Sequence, residues 1–553
     1  MEVTERRAPA REAAPTRRLT GGQAVVEALR AGGVDTVFGI PGVHNLAIYD
    51  ALRDAPDVRH VVCRHEQGAG FCADGYARTS GRPGVFVTTT GPGATNAFTA
   101  LGEAWSDSSP VLHLASQLAT PLIDRERGVN HEIVDQAGTF RHITRHHESV
   151  RDHACIAPAV AECLTAIQSG RPRAAYLDFP EDVLNASGEV TVAAPLPPAR
   201  PAADPDAVRR AAERLAGARR PAIIAGVGVH RSGASDELLR LAEALQAPVF
   251  ETAPGRGAIP GDHPLAVGGR WTDEPRLWRV LAESDALLAV GTRLGGGSTS
   301  NWKVPLPPPI QLDADPAMIG KNYPVALALE GDARATLAAL NEEVARLGAR
   351  ADAGPARAVR ALCDALDAEM RAAHPVPMGV LDDLRGALDR DAIVTNDSLI
   401  QYWTARHLPV YTPRSYHIPW IYGTLGSALP FAIGAAVAAP GRQVVAIGGD
   451  GAFMFTCAEL ATAVQAGANV VCVVCNDRGY NAMRRHQRLR YGDDRVIASD
   501  LATPDFAALA RSFGALGLAL DSPADLGPAL REALAAGRPA VLDLPLALDI
   551  PWK

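Results

Sequence analysis

The sequence predicts an α/β protein of three open parallel-sheet domains, the first and last sharing one fold. Three observations predict it. Short apolar runs that read as buried strands alternate with helical stretches along the chain. Two compositional breaks divide it, Pro/Ala-rich from Ala193 to Pro205 and Ala/Gly/Arg-rich from Arg346 to Arg357. The first and last thirds also carry matching landmarks in the same order. Gly81-Arg82-Pro83 before Gly91-Pro92-Gly93 is echoed by Gly441-Arg442-Gln443 before Gly449-Asp450-Gly451. Gly170-Arg171-Pro172 before Leu177-Asp178-Phe179-Pro180 is echoed by Gly537-Arg538-Pro539 before Leu542-Asp543-Leu544-Pro545, at an offset of about 360 residues.

The elements follow in order. Residues 1–18 mix Arg, Glu, Ala and Pro without an apolar centre and read as a disordered tail. Residues 19–192 form the first domain. Gly21 to Gly33 is an amphipathic helix, and Val37-Phe38-Gly39-Ile40-Pro41-Gly42 is a strand running into a tight loop. A strand near Val58 to Cys63 leads to a helix from Glu66 through Ala77. Val85 to Thr89 is a strand leading into Gly91 to Asn96, and Val111 to Ala115 is another strand. Residues 206–345 form a central domain with its own rhythm, Ala222 to Ala225 running into Gly226 and Ala286 to Val290 into Gly291. Residues 358–553 form the last domain. There Val444 to Ile447 is a buried strand, Ala452 to Gly467 has helical spacing and ends on glycine, and Val470 to Cys475 is a second buried strand.

Composition bounds the function. The chain has 553 residues, 47% hydrophobic and 21% charged, with a formal net charge of −8. This balance gives no basic surface for nucleic acid, and no run approaches the roughly 18 apolar residues of a membrane helix. Eight cysteines without framework spacing point to a reducing, cytoplasmic setting. Cys472 and Cys475 match CxxC, but three positions apart on a strand they face opposite ways and read as core thiols.

The chemistry concentrates at two strand ends. Gly449-Asp450-Gly451 closes the first strand of the last β-α-β unit, and Asn476-Asp477-Arg478-Gly479-Tyr480 closes the second. Ligands bind at the C-terminal ends of parallel strands, and glycines before a helix start offer N–H groups to phosphate. Two carboxylates there cannot both face phosphate without a cation, and oxygen ligands with phosphate imply Mg²⁺. In these residues, their spacing and their strand–helix–strand setting, the chain resembles the thiamine-diphosphate enzymes of the acetolactate synthase and 2-oxo-acid decarboxylase superfamily. The resemblance covers about residues 19–550. It implies a pyrimidine-binding, a central and a diphosphate-binding domain, in that order. It further implies that Asp450, Asp477 and the Gly479 carbonyl hold Mg²⁺, with Gly449, Gly451, Ala452, Tyr480, Asn481 and Met483 along the cofactor. The family usually has Asn where Asp477 stands, and Asn476 then flanks the ligand unless the register slips by one.

Two further stretches gain meaning from the resemblance. Glu66, in Arg64-His65-Glu66-Gln67-Gly68, reads alone as a first-turn acid favoured by the helix dipole. In the family a glutamate there shares a proton with the pyrimidine ring, which lets the thiazolium ylide form and attack a carbonyl. In Gly423-Thr424-Leu425-Gly426, Leu425 takes the place of the bulky residue under the bent cofactor, with the Gly423 carbonyl available to its amine.

On the substrate side, His44 lies where some relatives keep a catalytic histidine. His131 stands where the family commonly has Gln and could titrate near neutral pH. Both are candidates, whereas His146-His147 reads as a surface pair. Beyond Tyr480, Met483 replaces the glutamate of pyruvate decarboxylases. Arg484 or His486 either reads a polar substrate tail or belongs to a solvated helix face. In the central domain, Thr292 to Ser298 departs from the Arg-Phe-Asp-Asp-Arg run of acetolactate synthases, which argues against FAD and against that activity. Pro41 to His44 with His131-Glu132 looks more like the 5-guanidino-2-oxopentanoate decarboxylase branch.

The reading is therefore a thiamine-diphosphate- and Mg²⁺-dependent 2-oxo-acid decarboxylase or carboligase acting through a carbanion-enamine. Acetolactate synthesis and a FAD-dependent oxidase are the alternatives. The expected partners are a 2-oxo acid, an acceptor carbonyl compound where the reaction is a carboligation, and further copies of the chain in a homodimer or homotetramer with shared active sites.

Overall fold

Strand β1 (Thr16–Thr20) opens the part of the chain that the computed structural model describes, residues 16–348 and 352–550. It begins inside the segment 1–18 read as a tail; residues 1–15 lie outside the described residues. The first sheet comprises β2 (Thr36–Gly39), β3 (Arg59–Val62), β4 (Gly84–Thr88), β5 (Val111–Gln117), β6 (His147–Ser149) and β7 (Ala175–Pro180), in the order β3-β2-β4-β5-β7-β6. All its pairs are parallel. Then β8 (Ser187–Thr191) returns antiparallel to β1, which explains why Thr16, Arg17 and Arg18 are strand rather than tail.

The central sheet is also parallel. It takes β9 (Pro221–Ala225), β10 (Val249–Glu251), β11 (Ala266–Gly268), β12 (Ala286–Val290), β13 (Ile310–Asp313) and β14 (Leu327–Glu330) in the order β11-β10-β9-β12-β13-β14. This is the 3-2-1-4-5-6 doubly wound order. The last sheet takes β15 (Ile393–Asn396), β16 (Tyr416–His417), β17 (Val444–Gly449), β18 (Val470–Asn476), β19 (Leu516–Ala519) and β20 (Ala540–Pro545) in the order β16-β15-β17-β18-β20-β19. Numbered within its own domain, this is the strand order of the first sheet, so the repeated landmarks mark two copies of one topology.

Two stretches differ from their sequence reading. The 346–357 stretch is helical at both ends, closing the helix Ala333–Leu347 and opening the helix Ala353–Ala373; residues 349–351 lie outside the described residues. Ala and Arg suit a helix as well as a linker, so composition alone did not separate the two. The helix after Asp450 is broken into Asp450–Thr456 and Glu459–Ala466. The Thr456 hydroxyl donates to the Gly426 carbonyl at 2.7 Å, and Glu459 turns toward the first domain.

One core runs between the first and last domains. At its centre the helix Glu66–Ser80 lies against the helix Ala428–Ala438, which is apolar on every side and therefore buried. The contact is backbone to backbone. A Cβ on Gly434 would stand 1.9 Å from the Cys72 carbonyl oxygen, and one on Gly75 2.3 Å from that of Phe431. At the far end of the Glu66 helix, buried Arg78 binds Asp74, Glu103 and Asp107 and donates to the Ile418 carbonyl. Burial opposes the arginine's charge, but the carboxylates outweigh it and raise Arg78. The other half of the cluster responds in kind, with burial first and Asp107 second pushing the Glu103 carboxyl well above its usual range. Cys472 and Cys475 are buried thiols on β18. Among the described residues no helix is long and apolar enough to cross a membrane.

The helix contact sets a stability test. Gly434→Ala should cost about 1–3 kcal/mol, because a methyl group there has only backbone to displace. Gly386→Ala, with nothing within 4 Å of the new methyl, should be neutral or slightly stabilising. Denaturant midpoints of the two variants check the contrast, and equal midpoints would refute the tight contact.

Candidate active site

The ends of β17 and β18 lie side by side, with Gly449 in register with Cys475. Asp450 follows directly and is 1% exposed. Its Oδ1 accepts from the Gly451 N–H at 2.8 Å and its Oδ2 from the Gly479 N–H at 3.0 Å. Asn476 turns sideways, its amide donating to Asp543 on β20 at 2.9 Å. Asp477, not Asn476, reaches the cavity. Burial pushes the Asp450 carboxyl up. Asp477 is pushed up to about 6, by burial first and by the neighbouring Asp450 charge second. The two carboxylates therefore hold each other at an electrostatic cost that a cation between them would relieve.

The cavity they line measures about 350 Å³. Its wall brings together Gly423, Leu425, Gly449, Asp450, Gly451, Ala452, Asp477, Gly479, Tyr480, Asn481 and Met483. Sequence reasoning missed the wall formed by Ser398, Gln401, Tyr402 and Trp420. Two polar atoms of this wall, Gln401 Oε1 and Trp420 Nε1, are buried without a hydrogen-bond partner. Such atoms suit a polar ligand. It also missed Asp397, which is 1% exposed at the end of β15. Asp397 Oδ2 accepts from the N–H groups of Gly426 and Ala428 at 3.0 and 3.3 Å, so it fixes the Leu425 loop. Burial pushes its carboxyl up to about 6. The signal was present, because Asn396-Asp397 ends a buried strand just as Asn476-Asp477 does.

Other expected residues lie elsewhere. Arg484 is bound to the loop after β18, donating to the carbonyls of Asp477 and Arg478 at 3.2 and 2.6 Å and to Asp500 at 2.8 Å. It braces that loop and has no free donor face for a substrate tail. His486 is exposed on the helix Asn481–Tyr491.

Glu66, His44 and His131 form a separate group on the rim of the first sheet, outside the cavity wall. Glu66 opens its helix and accepts from the Asn96 amide at 3.0 Å. Buried Glu459, from the last domain, accepts the N–H groups of Arg64 and His65 at 3.1 and 2.9 Å and so fixes the turn into Glu66. The rings of His44 and His131 lie 5.2 Å apart between centroids. His131 Nδ1 donates to the Thr90 carbonyl at 3.1 Å, which fixes its tautomer when neutral and leaves Nε2 as the acceptor. Gly91 admits this arrangement, since a Cβ there would stand 2.4 Å from the His131 oxygen. His44 is pushed below its usual range, chiefly by burial, with Glu181 opposing and His131 adding to the effect. His146 pairs instead with Glu148 at the sheet edge.

Comparison with known proteins accounts for both groups. Residues 19–139 match the thiamine pyrophosphate enzyme N-terminal TPP-binding domain, 208–340 the central domain and 399–544 the C-terminal TPP-binding domain. A probable 2-ketoarginine decarboxylase, AruI, of Pseudomonas aeruginosa is 39% identical over 94% of this chain and 92% of its own length. A probable acetolactate synthase large subunit of Methanocaldococcus jannaschii is 34% identical over 95% and 92%. The acetolactate synthase isozyme 1 large subunit of Escherichia coli is 32% identical over 95% and 94%. With all three domains matched and full-length relatives above 30% identity, the chain belongs to the thiamine pyrophosphate enzyme family and is a thiamine-diphosphate-dependent enzyme.

Proposed function

We propose that the chain decarboxylates a 2-oxo acid with thiamine diphosphate and Mg²⁺, then releases an aldehyde or joins the fragment to a second carbonyl compound. The observation that carries this reading is the charge of the cavity. Its wall holds two carboxylates, Asp450 and Asp477, and no Lys, Arg or His side chain. A diphosphate set there requires a divalent cation between itself and the carboxylates. Among the described residues no cluster of three or more His, Cys, Asp or Glu side chains could hold a metal. The remaining oxygens would come, as the family resemblance implies, from the Gly479 carbonyl, phosphate and water.

Bound thiamine diphosphate supplies the nucleophilic carbon and takes up the electrons left when CO₂ departs. Leu425 would support it, and the Gly423 carbonyl would be available to its amine. Glu66 holds the proton exchanged with the pyrimidine nitrogen, oriented by Asn96. His44 and His131 hold and move protons on the substrate side. Glu66 lies outside the cavity of its own chain, which supports a homodimer, or a dimer of dimers, with each site built from two subunits. Eight free cysteines support a reducing, cytoplasmic setting. Acetolactate formation from pyruvate is the second reading, favoured by the relatives that bear that name. An NMR product screen of the loaded protein against a panel of 2-oxo acids decides between them. Aldehyde from a larger acid supports the first reading and acetolactate from pyruvate the second. No CO₂ from any acid refutes both.

Two variants test the assignments. Glu66→Gln should lower turnover by about 10²- to 10⁴-fold, the usual worth of a general acid–base, with an unchanged melting midpoint. Unaltered turnover would remove Glu66 from the mechanism. Asp450→Asn and Asp477→Ala should each weaken Mg²⁺-dependent thiamine diphosphate binding by roughly tenfold or more, the scale of one lost charge-assisted contact. Titration of tryptophan fluorescence reads this without turnover, because Trp420 lines the cavity. Affinity that is the same with and without Mg²⁺ would sink the bridging cation.

A further inference from the structure

The rim of the first sheet gathers more acid than the proposed chemistry uses, and nearly all of it is committed. Glu66 is held by Asn96. Glu132 accepts the N–H groups of Arg127, Gly128 and Val129, closing its own loop. Asp182 accepts both the N–H and the hydroxyl of Thr120, at 2.9 and 3.1 Å. Asp124 accepts from the Asp135 N–H. Glu181 is different. It follows β7 directly, at the start of the short helix Glu181–Asn185, and is half-buried. Its backbone carbonyl accepts from the Asn185 amide at 2.8 Å, but no hydrogen bond or ion pair to its carboxylate is found among the described residues.

Its position is fixed by its surroundings. The Asp182–Thr120 bonds tie the start of its helix to the loop after β5, the loop that goes on to carry His131. The same helix packs against the turn Val43–Asn45, which carries His44. The Glu181 charge acts on His44 there. So an unpaired carboxylate stands beside His44, whose ring lies against that of His131. Such a carboxylate is placed to pair with a cation that binds beside it. Among the described residues no Lys or Arg pairs with it.

We propose that Glu181 is the specificity-determining residue, and that the group it reads is the cationic end of a 2-oxo-acid side chain, a guanidinium or an ammonium. This rests on the reading of the chain as a 2-oxo-acid decarboxylase and names its substrate class. The carboxylate pairs with the side-chain cation, while the 2-oxo-acid end is left to the cofactor and the histidines. A planar guanidinium can pair through two N–H groups with one carboxylate, whereas an ammonium pairs as a point charge.

The test compares three acids of similar length on the Mg²⁺- and thiamine-diphosphate-loaded protein. They are 5-guanidino-2-oxopentanoate, 6-amino-2-oxohexanoate and neutral 2-oxohexanoate. Glu181→Gln should raise KM for the preferred cationic acid by about 10- to 100-fold, the scale of a charge-assisted hydrogen bond, and leave kcat/KM for 2-oxohexanoate within about threefold. Glu181→Asp should restore part of the preference. Equal use of cationic and neutral acids by the wild type, or an equal loss on all three in Glu181→Gln, overturns the proposal. Calorimetric titration with 5-guanidinopentanoate, which lacks the oxo group and cannot turn over, separates this from the parent reading. Glu181-dependent binding without CO₂ from any acid keeps the specificity site and refutes the decarboxylase. Binding that ignores Glu181 refutes the site alone.

Discussion

Two helices that touch backbone to backbone place everything else. Gly75 and Gly434 let the helices Glu66–Ser80 and Ala428–Ala438 approach closer than any side chain would allow. The first helix begins at Glu66, and the second follows directly on the loop that carries Gly423 and Leu425. Glu66 and the loop that carries Gly423 and Leu425 therefore ride on one rigid pair. Closely packed interiors do not yield gradually, so a small displacement at this contact moves both functional ends together.

Buried charge adds direction to that contact. Arg78 has three carboxylates around it, and burial and Asp107 push Glu103 well above its usual range. Its Oε2 accepts from the Thr424 hydroxyl at 3.1 Å, next to Leu425. Asp397 grips the same loop from the other side through Gly426 and Ala428. Buried ion pairs are weak evidence for stability, because desolvation offsets their attraction. What these groups supply is a single position for a loop whose glycines would otherwise allow many. Glu459 does the same for the turn into Glu66.

The parts legible in the sequence were those with local causes. Val444 to Ile447 and Val470 to Cys475 are apolar without interruption because both faces of a parallel sheet are covered, and their ends held the acidic residues that matter. The parts that were not legible depend on distant partners. Asp397 looks like any strand-end acid until the Gly426 loop, some thirty positions on, folds over it. Arg484 has the spacing of a solvated helix face, yet its side chain turns back to bind two carbonyls and Asp500. The break after Thr456 is set by the Gly426 carbonyl, and nothing within Ala452 to Gly467 announces it. Thr16 to Arg18 are strand only because β8 returns beside them.

Charge is distributed differently over the two domains that carry the candidate residues. The cavity in the last domain presents carboxylates and no basic side chain, so an anionic ligand there would depend on a metal ion and backbone N–H groups. A lysine in that wall would bind phosphate without a metal, but it would also pair with Asp450 or Asp477 and close the cavity on itself. Leaving the wall acidic keeps it open until the cation and phosphate arrive together. The first domain follows the opposite arrangement. Its rim spends most of its acids on backbone and side-chain N–H groups and keeps the Glu181 carboxylate unpaired beside His44, groups whose charge answers to what binds beside them. Discrimination among 2-oxo acids can then change at the rim without disturbing the acidic wall that the cofactor requires.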